Sequence, residues 1–132
     1  MTEHKTVITF GTFDLLHVGH VNILQQAKAL GSRLVVGVSS DSMNVIKKKR
    51  RPIYSQWDRM KIVMALECVD EVFLEESMAL KTEYIRYHRA DILVMGNDWE
   101  GKFGEIPCQV LYLKRTPGIS TTEILNHVIQ QQ

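Results

Sequence analysis

Apolar and polar positions follow two rhythms along this chain. Short apolar or β-branched runs recur at residues 6–10, 34–38, 71–74, 92–95 and 109–113. Between them, apolar residues return every three or four positions, the period of a helix with one buried side. The first such stretch spans residues 17–30, with Val21, Leu24 and Ala27 along one side, and stops at Gly31. A second spans residues 56–67 and carries Trp57, Met60, Ile62, Val63 and Leu66; a third spans residues 79–89. A last one opens near Ser120 and is expected to fray into the glutamines at 130–132. The run Leu34-Val-Val-Gly-Val38 has no polar position, the mark of a strand covered on both faces.

Strands alternating with helices of this length predict a mainly parallel sheet with helices on both sides. The expected fold is therefore α/β: a single doubly wound, Rossmann-like domain over residues 1–132, with a five-stranded sheet. No internal repeat or linker divides it. Such sheets bind ligands beyond the carboxyl ends of their strands, where the strand order reverses. The segments to examine follow Phe10, Ser39, Met95 and Lys114.

Bulk properties narrow the ligand class. The formal net charge is +1, so no overall basic field points to nucleic acid. Cys68 and Cys108 lie far apart with no metal-ligand spacing and read as reduced thiols. No apolar stretch is long enough for a signal peptide or membrane span, so a cytoplasmic protein without membrane contact is expected.

The first run leads into Gly11-Thr-Phe-Asp-Leu-Leu-His-Val-Gly-His20. Gly11 would let the chain turn tightly. His17 and His20, three apart at a helix start, point the same way, and Gly19 removes a side chain between them. A helix N-terminus offers free N–H groups and a positive dipole end, both suited to phosphate, and two imidazoles add donors. The plainer alternative is that one histidine caps the helix while the other packs. Zinc on this pair lacks a third ligand and the HExxH spacing. Neither GxGxxG nor GxxxxGK[ST] follows the first run.

After the second run come Ser39-Ser-Asp41 and the cations Lys47-Lys-Lys-Arg-Arg51, ahead of Pro52. Adjacent cations repel and usually stay solvated. They form a flexible surface loop, a nucleic-acid or targeting patch, or a mobile arm that closes over an anion; the position after a strand favours the arm. Arg59, on the next helix, adds a cation or is simply solvated. Beyond Met95, Gly96-Asn-Asp-Trp-Glu-Gly101 offers Asp98 to a ribose or base and Trp99 as a wall, or is an ordinary loop. Finally, Arg115-Thr-Pro-Gly-Ile-Ser-Thr-Thr122 contains a Pro-Gly turn, and Ser120 with Glu123 makes a capping box. That open helix start beside Arg115 is a second phosphate cradle. A polyphosphate ligand accounts for so many anion-binding features on one sheet edge.

Four segments in order, G-T-F-D-L-L-H-V-G-H at 11–20, V-D-E-V at 69–72, V-M-G-N-D-W-E-G-K-F at 94–103 and R-T-P-G-I-S-T-T at 115–122, span nearly the whole chain. Together they resemble the glycerol-3-phosphate cytidylyltransferases, a branch of the HxGH nucleotidyltransferase superfamily. The first segment marks the superfamily and the last points to the cytidylyl branch. The resemblance implies transfer of CMP from CTP to glycerol 3-phosphate, giving CDP-glycerol and pyrophosphate by direct in-line displacement. It implies catalytic roles for His17, His20, Lys47 and Arg115. Thr12, Phe13, Gly19, Asp98, Ser120 and Thr121 would contact CTP, and Asp14, Lys47, Lys49 and Arg59 the acceptor. Mg²⁺ or another divalent cation would bind mainly through the CTP phosphates, with no metal site on the protein, and the assembly would be a homodimer. Val18, Glu67 and Asn97 stand where the family often has Trp, Arg and Asp, and Ser77-Met-Ala79 where it often has a Trp. Other readings are transfer of a cytidylyl or adenylyl group to another phosphorylated polyol or a phosphonate, or a CTP-binding regulatory module without turnover. By analogy, CDP-glycerol would fit a cell-wall or capsule precursor.

Overall fold

Successive side chains of a strand serve opposite faces, and the apolar runs here fill both. In a computed structural model describing residues 4–131, they form β1 (Thr6–Gly11), β2 (Arg33–Ser39), β3 (Glu71–Glu75), β4 (Ile92–Gly96) and β5 (Gln109–Leu113). Met1, Thr2, Glu3 and Gln132 lie outside the described residues. The helices are α1 (Val18–Ala29), α2 (Asp41–Lys48), α3 (Gln56–Met64), α4 (Lys81–Tyr87) and α5 (Thr121–Gln130), with 3-10 turns at Met78–Leu80 and Asn97–Trp99.

The sheet order is β3-β2-β1-β4-β5 and every pairing is parallel. The expected α/β sheet is thus wholly rather than mainly parallel. Val7, Leu34, Val36, Val38, Ile92 and Val94 face one side, where Leu24 and Ala27 of α1 and Val63 of α3 cover them. Ile8, Phe10, Val35, Leu93 and Met95 face the other, against Ile85 of α4 and the loop carrying Trp99, Phe103 and Ile106. Cys68 packs against the first layer and Cys108 against the second, and both are free thiols.

Three expectations need correction. Residues 41–48 form α2, which periodicity did not reveal. Ser40 caps it, its Oγ accepting from the Met43 N–H at 3.0 Å, while Met43 and Asn44 are buried. The first two cations of the basic run are therefore the last turn of a helix, where the dipole favours positive charge. Helix α3 stops at Met64, because Ala65 and Leu66 tighten the end with bonds to the Ile62 and Val63 carbonyls. Its Trp57 points outward at 64 % exposure instead of joining the core. Helix α5 runs through Gln130, with Gln131 as its cap, and Gln132 lies outside the described residues.

From central β1 the chain builds outward through β2 and β3, then crosses back to β4 on β1's other side. The loops after β1 and β4 therefore part at their carboxyl ends and open a crevice.

Candidate active site

A cavity of about 490 Å³ occupies that crevice, and segments following all five strands line it. His17 and His20 share it with Arg115, Ser120, Thr121 and Thr122, which are about a hundred positions away in sequence.

The start of α1 is built from its two histidines. His17 is the N-cap, and its Nδ1 accepts from the Gly19 N–H at 3.1 Å; Nδ1 of His20 accepts from the His17 N–H, also at 3.1 Å. The rings stack with centroids 3.8 Å apart, and Phe13 meets the His20 ring edge-on. Capping and ligand binding are thus compatible, because capping engages only one nitrogen of each ring. With both Nδ1 atoms accepting, the proton of each neutral ring sits on Nε2 as a free donor. Gly19 is required here: a Cβ would lie 2.8 Å from Cε1 of His17.

Burial first, then the charges of His17 and Arg115, push the His20 pKa down to about 4. Burial and Arg115 lower that of His17 as well. Both rings are therefore neutral at pH 7. An unfolded chain protonates His20 near pH 6.5, whereas the folded protein resists until about 4. Folding stability should accordingly fall as pH drops through that window and be insensitive to this group above it. Urea titrations at pH 7.5, 5.5 and 4.5 should show a shallower pH slope for His20→Gln than for the parent; identical slopes would refute the assignment.

Helix α5 opens onto the same cavity. Ser120 caps it through Glu123 N–H, at 3.1 Å, leaving the Thr121 and Thr122 N–H groups without a partner among the described residues. Thr121 Oγ1 donates to the Asp14 carbonyl at 2.7 Å, and Asn22 Nδ2 to Thr116 Oγ1 at 3.0 Å. These two bonds hold the two phosphate-type helix starts side by side. At the lip, Asp98 engages the Arg115 fork, with Nε–Oδ1 at 3.1 Å and Nη2–Oδ2 at 2.9 Å. Partial desolvation acts upward on Asp98, but Arg115 outweighs it and holds the carboxyl below its usual range. The residue expected to meet the nucleoside thus orients a cation here. Trp99 does wall the cavity, stacked on Phe103.

Lys47 and Lys48, on the last turn of α2, also line the cavity. Partial desolvation lowers both ammonium pKa values, and Lys47, Arg50 and Arg115 lower that of Lys48 further. Lys48 Nζ donates to Thr12 Oγ1 at 3.3 Å. That hydroxyl also donates to Asn44 Oδ1 at 2.9 Å and accepts from Ser39 Oγ at 3.2 Å. Thr12 lines the cavity, yet its hydroxyl serves to hold α2.

Several expected site residues sit differently. Lys49 ends α2 in a left-handed conformation, with φ of 60°, and is exposed away from the cavity; Lys48 occupies the place foreseen for it. Arg59 is neither solvated nor in the cavity but 0 % exposed. It donates to the carbonyls of Thr12, Ser39 and Tyr54 and pairs with Asp41 at 2.8 Å, joining three loops. Asp14 lines the cavity, but its carboxylate accepts from the Ile53 and Tyr54 N–H groups, at 2.7 and 3.0 Å. Phe13 is buried at the cavity wall, and it, not Gly11, takes the left-handed turn, with φ of 54°. Gly11 instead leaves room for the Phe13 ring, 2.8 Å from where its Cβ would be. The end of β3 went unforeseen: Glu75, Met78 and Lys81 also line the cavity. A lone carboxylate closing a strand carries no local signal.

Among the described residues no group of three or more His, Cys, Asp or Glu is placed to hold a metal ion. The cavity carboxylates of Asp14, Glu75 and Asp98 are all engaged by protein donors.

The cytidylyltransferase-like family model matches residues 8–127. This chain belongs to that family. Glycerol-3-phosphate cytidylyltransferase of Bacillus subtilis strain 168 is 46% identical over 127 residues, covering 94% of this chain and 97% of that protein. The enzyme of the same name from Staphylococcus aureus strain NCTC 8325 / PS 47 is 42% identical over 123 residues, 91% and 92% of the two chains. A lipopolysaccharide core biosynthesis protein from Thermoplasma volcanium GSS1 superposes with a TM-score of 0.73 at 26% identity, over 85% of this chain and 98% of that one. For a cytidylyltransferase-like chain, the departures at Val18, Glu67 and Asn97 fall outside the cavity, whereas Met78 lines it. No helix of the described residues is long and apolar enough to cross a membrane.

Proposed function

We propose that this chain transfers CMP from CTP to glycerol 3-phosphate, forming CDP-glycerol and pyrophosphate. One observation carries this reading: the neutral histidine pair at the start of α1, the open start of α5 and Arg115 converge on one cavity, which Lys47 and Lys48 also line. A triphosphate suits the first set and the α-phosphate region suits the second. The relatives' names supply the acceptor.

An oxygen of the acceptor phosphate attacks the α-phosphorus of CTP. The new P–O bond forms as the bond from the α-phosphorus to the bridging oxygen breaks, and pyrophosphate leaves with that electron pair. The attacking phosphate is already ionised, so no protein nucleophile or base is needed. Catalysis then rests on placement and on charge set where the transition state builds it. Nε2–H of His17 and His20 donate to phosphate oxygens, the α5 N–H groups and Arg115 hold the departing end, and Lys47 and Lys48 draw the two anions together. A divalent cation such as Mg²⁺ would arrive on the triphosphate and offset its charge, since no group of three or more His, Cys, Asp or Glu among the described residues is placed to hold one. The proposal includes a cytoplasmic homodimer, on the strength of the family resemblance; light scattering against the 15.2 kDa chain mass checks the assembly.

Incubation with CTP, Mg²⁺ and a mixture of phosphorylated alcohols, read by mass spectrometry, should yield CDP-glycerol as the main product. ATP in place of CTP should give little pyrophosphate. Saturable CTP binding with no product from any acceptor would leave a regulatory module instead.

A further inference from the structure

Glu75 closes β3 and is 2 % exposed; Lys81 opens α4 and is 5 % exposed. Lys81 Nζ donates to Glu75 Oε2 at 2.8 Å and lies 3.7 Å from the centroid of the Phe10 ring. Removing two charges from water costs about as much as their attraction returns, so a buried pair contributes little to stability over an apolar one. This pair also lies on the cavity wall. Among the described residues Glu75 Oε1 has no protein donor, yet no buried side-chain oxygen or nitrogen lacks a partner. Oε1 is therefore open to the cavity.

The cations order the cavity along one axis. Lys48 is tied to Thr12 and feels Asp14 and Arg115, at the histidine end. Lys47 feels Glu75 and lies 5.8 Å from the Trp99 ring, at the other end. The acceptor phosphate falls between these lysines if CTP lies against the histidines. Its tail then reaches Glu75, Lys81 and Met78.

We infer that Glu75 and Lys81 bind the hydroxyl-bearing tail of the acceptor and select an uncharged polyol phosphate. This rests on the cytidylyl-transfer reading above. The pair offers one acceptor and one donor with no net charge, and a hydroxyl is both donor and acceptor. A tail ending in an ammonium meets Lys81 and one ending in a carboxylate meets Glu75, each desolvated beside a like charge. A tail without hydroxyls leaves the buried polar groups unmatched, the case in which enzymes discriminate most strongly.

The test compares kcat/KM for glycerol 3-phosphate, propyl phosphate and phosphoethanolamine in the parent and in Glu75→Gln/Lys81→Met, which removes both charges together. The parent should prefer glycerol 3-phosphate at least about 10²-fold over either analogue. In the double variant that ratio should fall to within about tenfold, through a raised acceptor KM, while the KM for CTP stays within about twofold. Glu75→Leu/Lys81→Met, which likewise removes both charges, carries the same test if the first double variant does not fold. An unchanged ratio in a folded variant, or a raised KM for CTP in its place, overturns this inference alone. No product from the parent with any acceptor overturns the cytidylyl-transfer reading and this inference with it.

Discussion

Replacing His20 by alanine lowers kcat with CTP about 10²–10³-fold, the loss expected when one preorganised donor to a developing charge is removed. His17→Ala has an effect of the same size. The KM for CTP should change far less, because the Nε2–H bonds strengthen as charge builds on the reacting phosphate. Each variant also loses a bond at the start of α1, since each Nδ1 accepts a backbone N–H there. That loss costs about 1 kcal/mol of stability, which denaturant titration measures separately and which cannot account for such a rate loss in a protein still folded. The two rings stack and share one capping arrangement, so the double variant should be little worse than the poorer single one. Variants that turn over within a few-fold of the parent would remove the histidines from the mechanism.

Arg59→Met should destabilise the fold by about 3–5 kcal/mol, as expected when one partner of a buried charge network is deleted. Asp41 loses its partner, and the carbonyls of Thr12, Ser39 and Tyr54 lose their donors. Arg59→Lys recovers little, because one ammonium cannot supply the planar fork that reaches four acceptors. Urea denaturation gives the stability, and activity should fall with it, since the loops that Arg59 joins carry Thr12, Asp41 and Tyr54. An unchanged midpoint together with a raised acceptor KM would return Arg59 to the acceptor-contact role that the family resemblance implies.

Arg59 shows where sequence reading reaches its range. A cation on the exposed-looking turn of a helix is ordinarily solvated, and nothing within ten residues marks it otherwise. Its partner Thr12 is 47 positions away. The same holds for Asp14, whose carboxylate meets backbone 39 and 40 positions on. The histidine pair was legible because its geometry is local: three positions on a helix start determine the side on which both rings stand. Lys48 and Lys49 were not separable, because only the end of α2 decides which lysine looks inward.

By itself the amino-acid order determined the five strands, the starts of the first and last helices and the side of the sheet on which ligands bind. These follow from side-chain period, caps and the handedness of parallel crossovers, all short-range effects. Tertiary structure alone decided that α2 supplies Lys47 and Lys48, that Arg59 is a buried tie, and that Glu75 with Lys81 completes the cavity wall. Those outcomes depend on burial and charge pairing between segments that meet only once the sheet has closed, as when Thr121 reaches Asp14 across 107 positions.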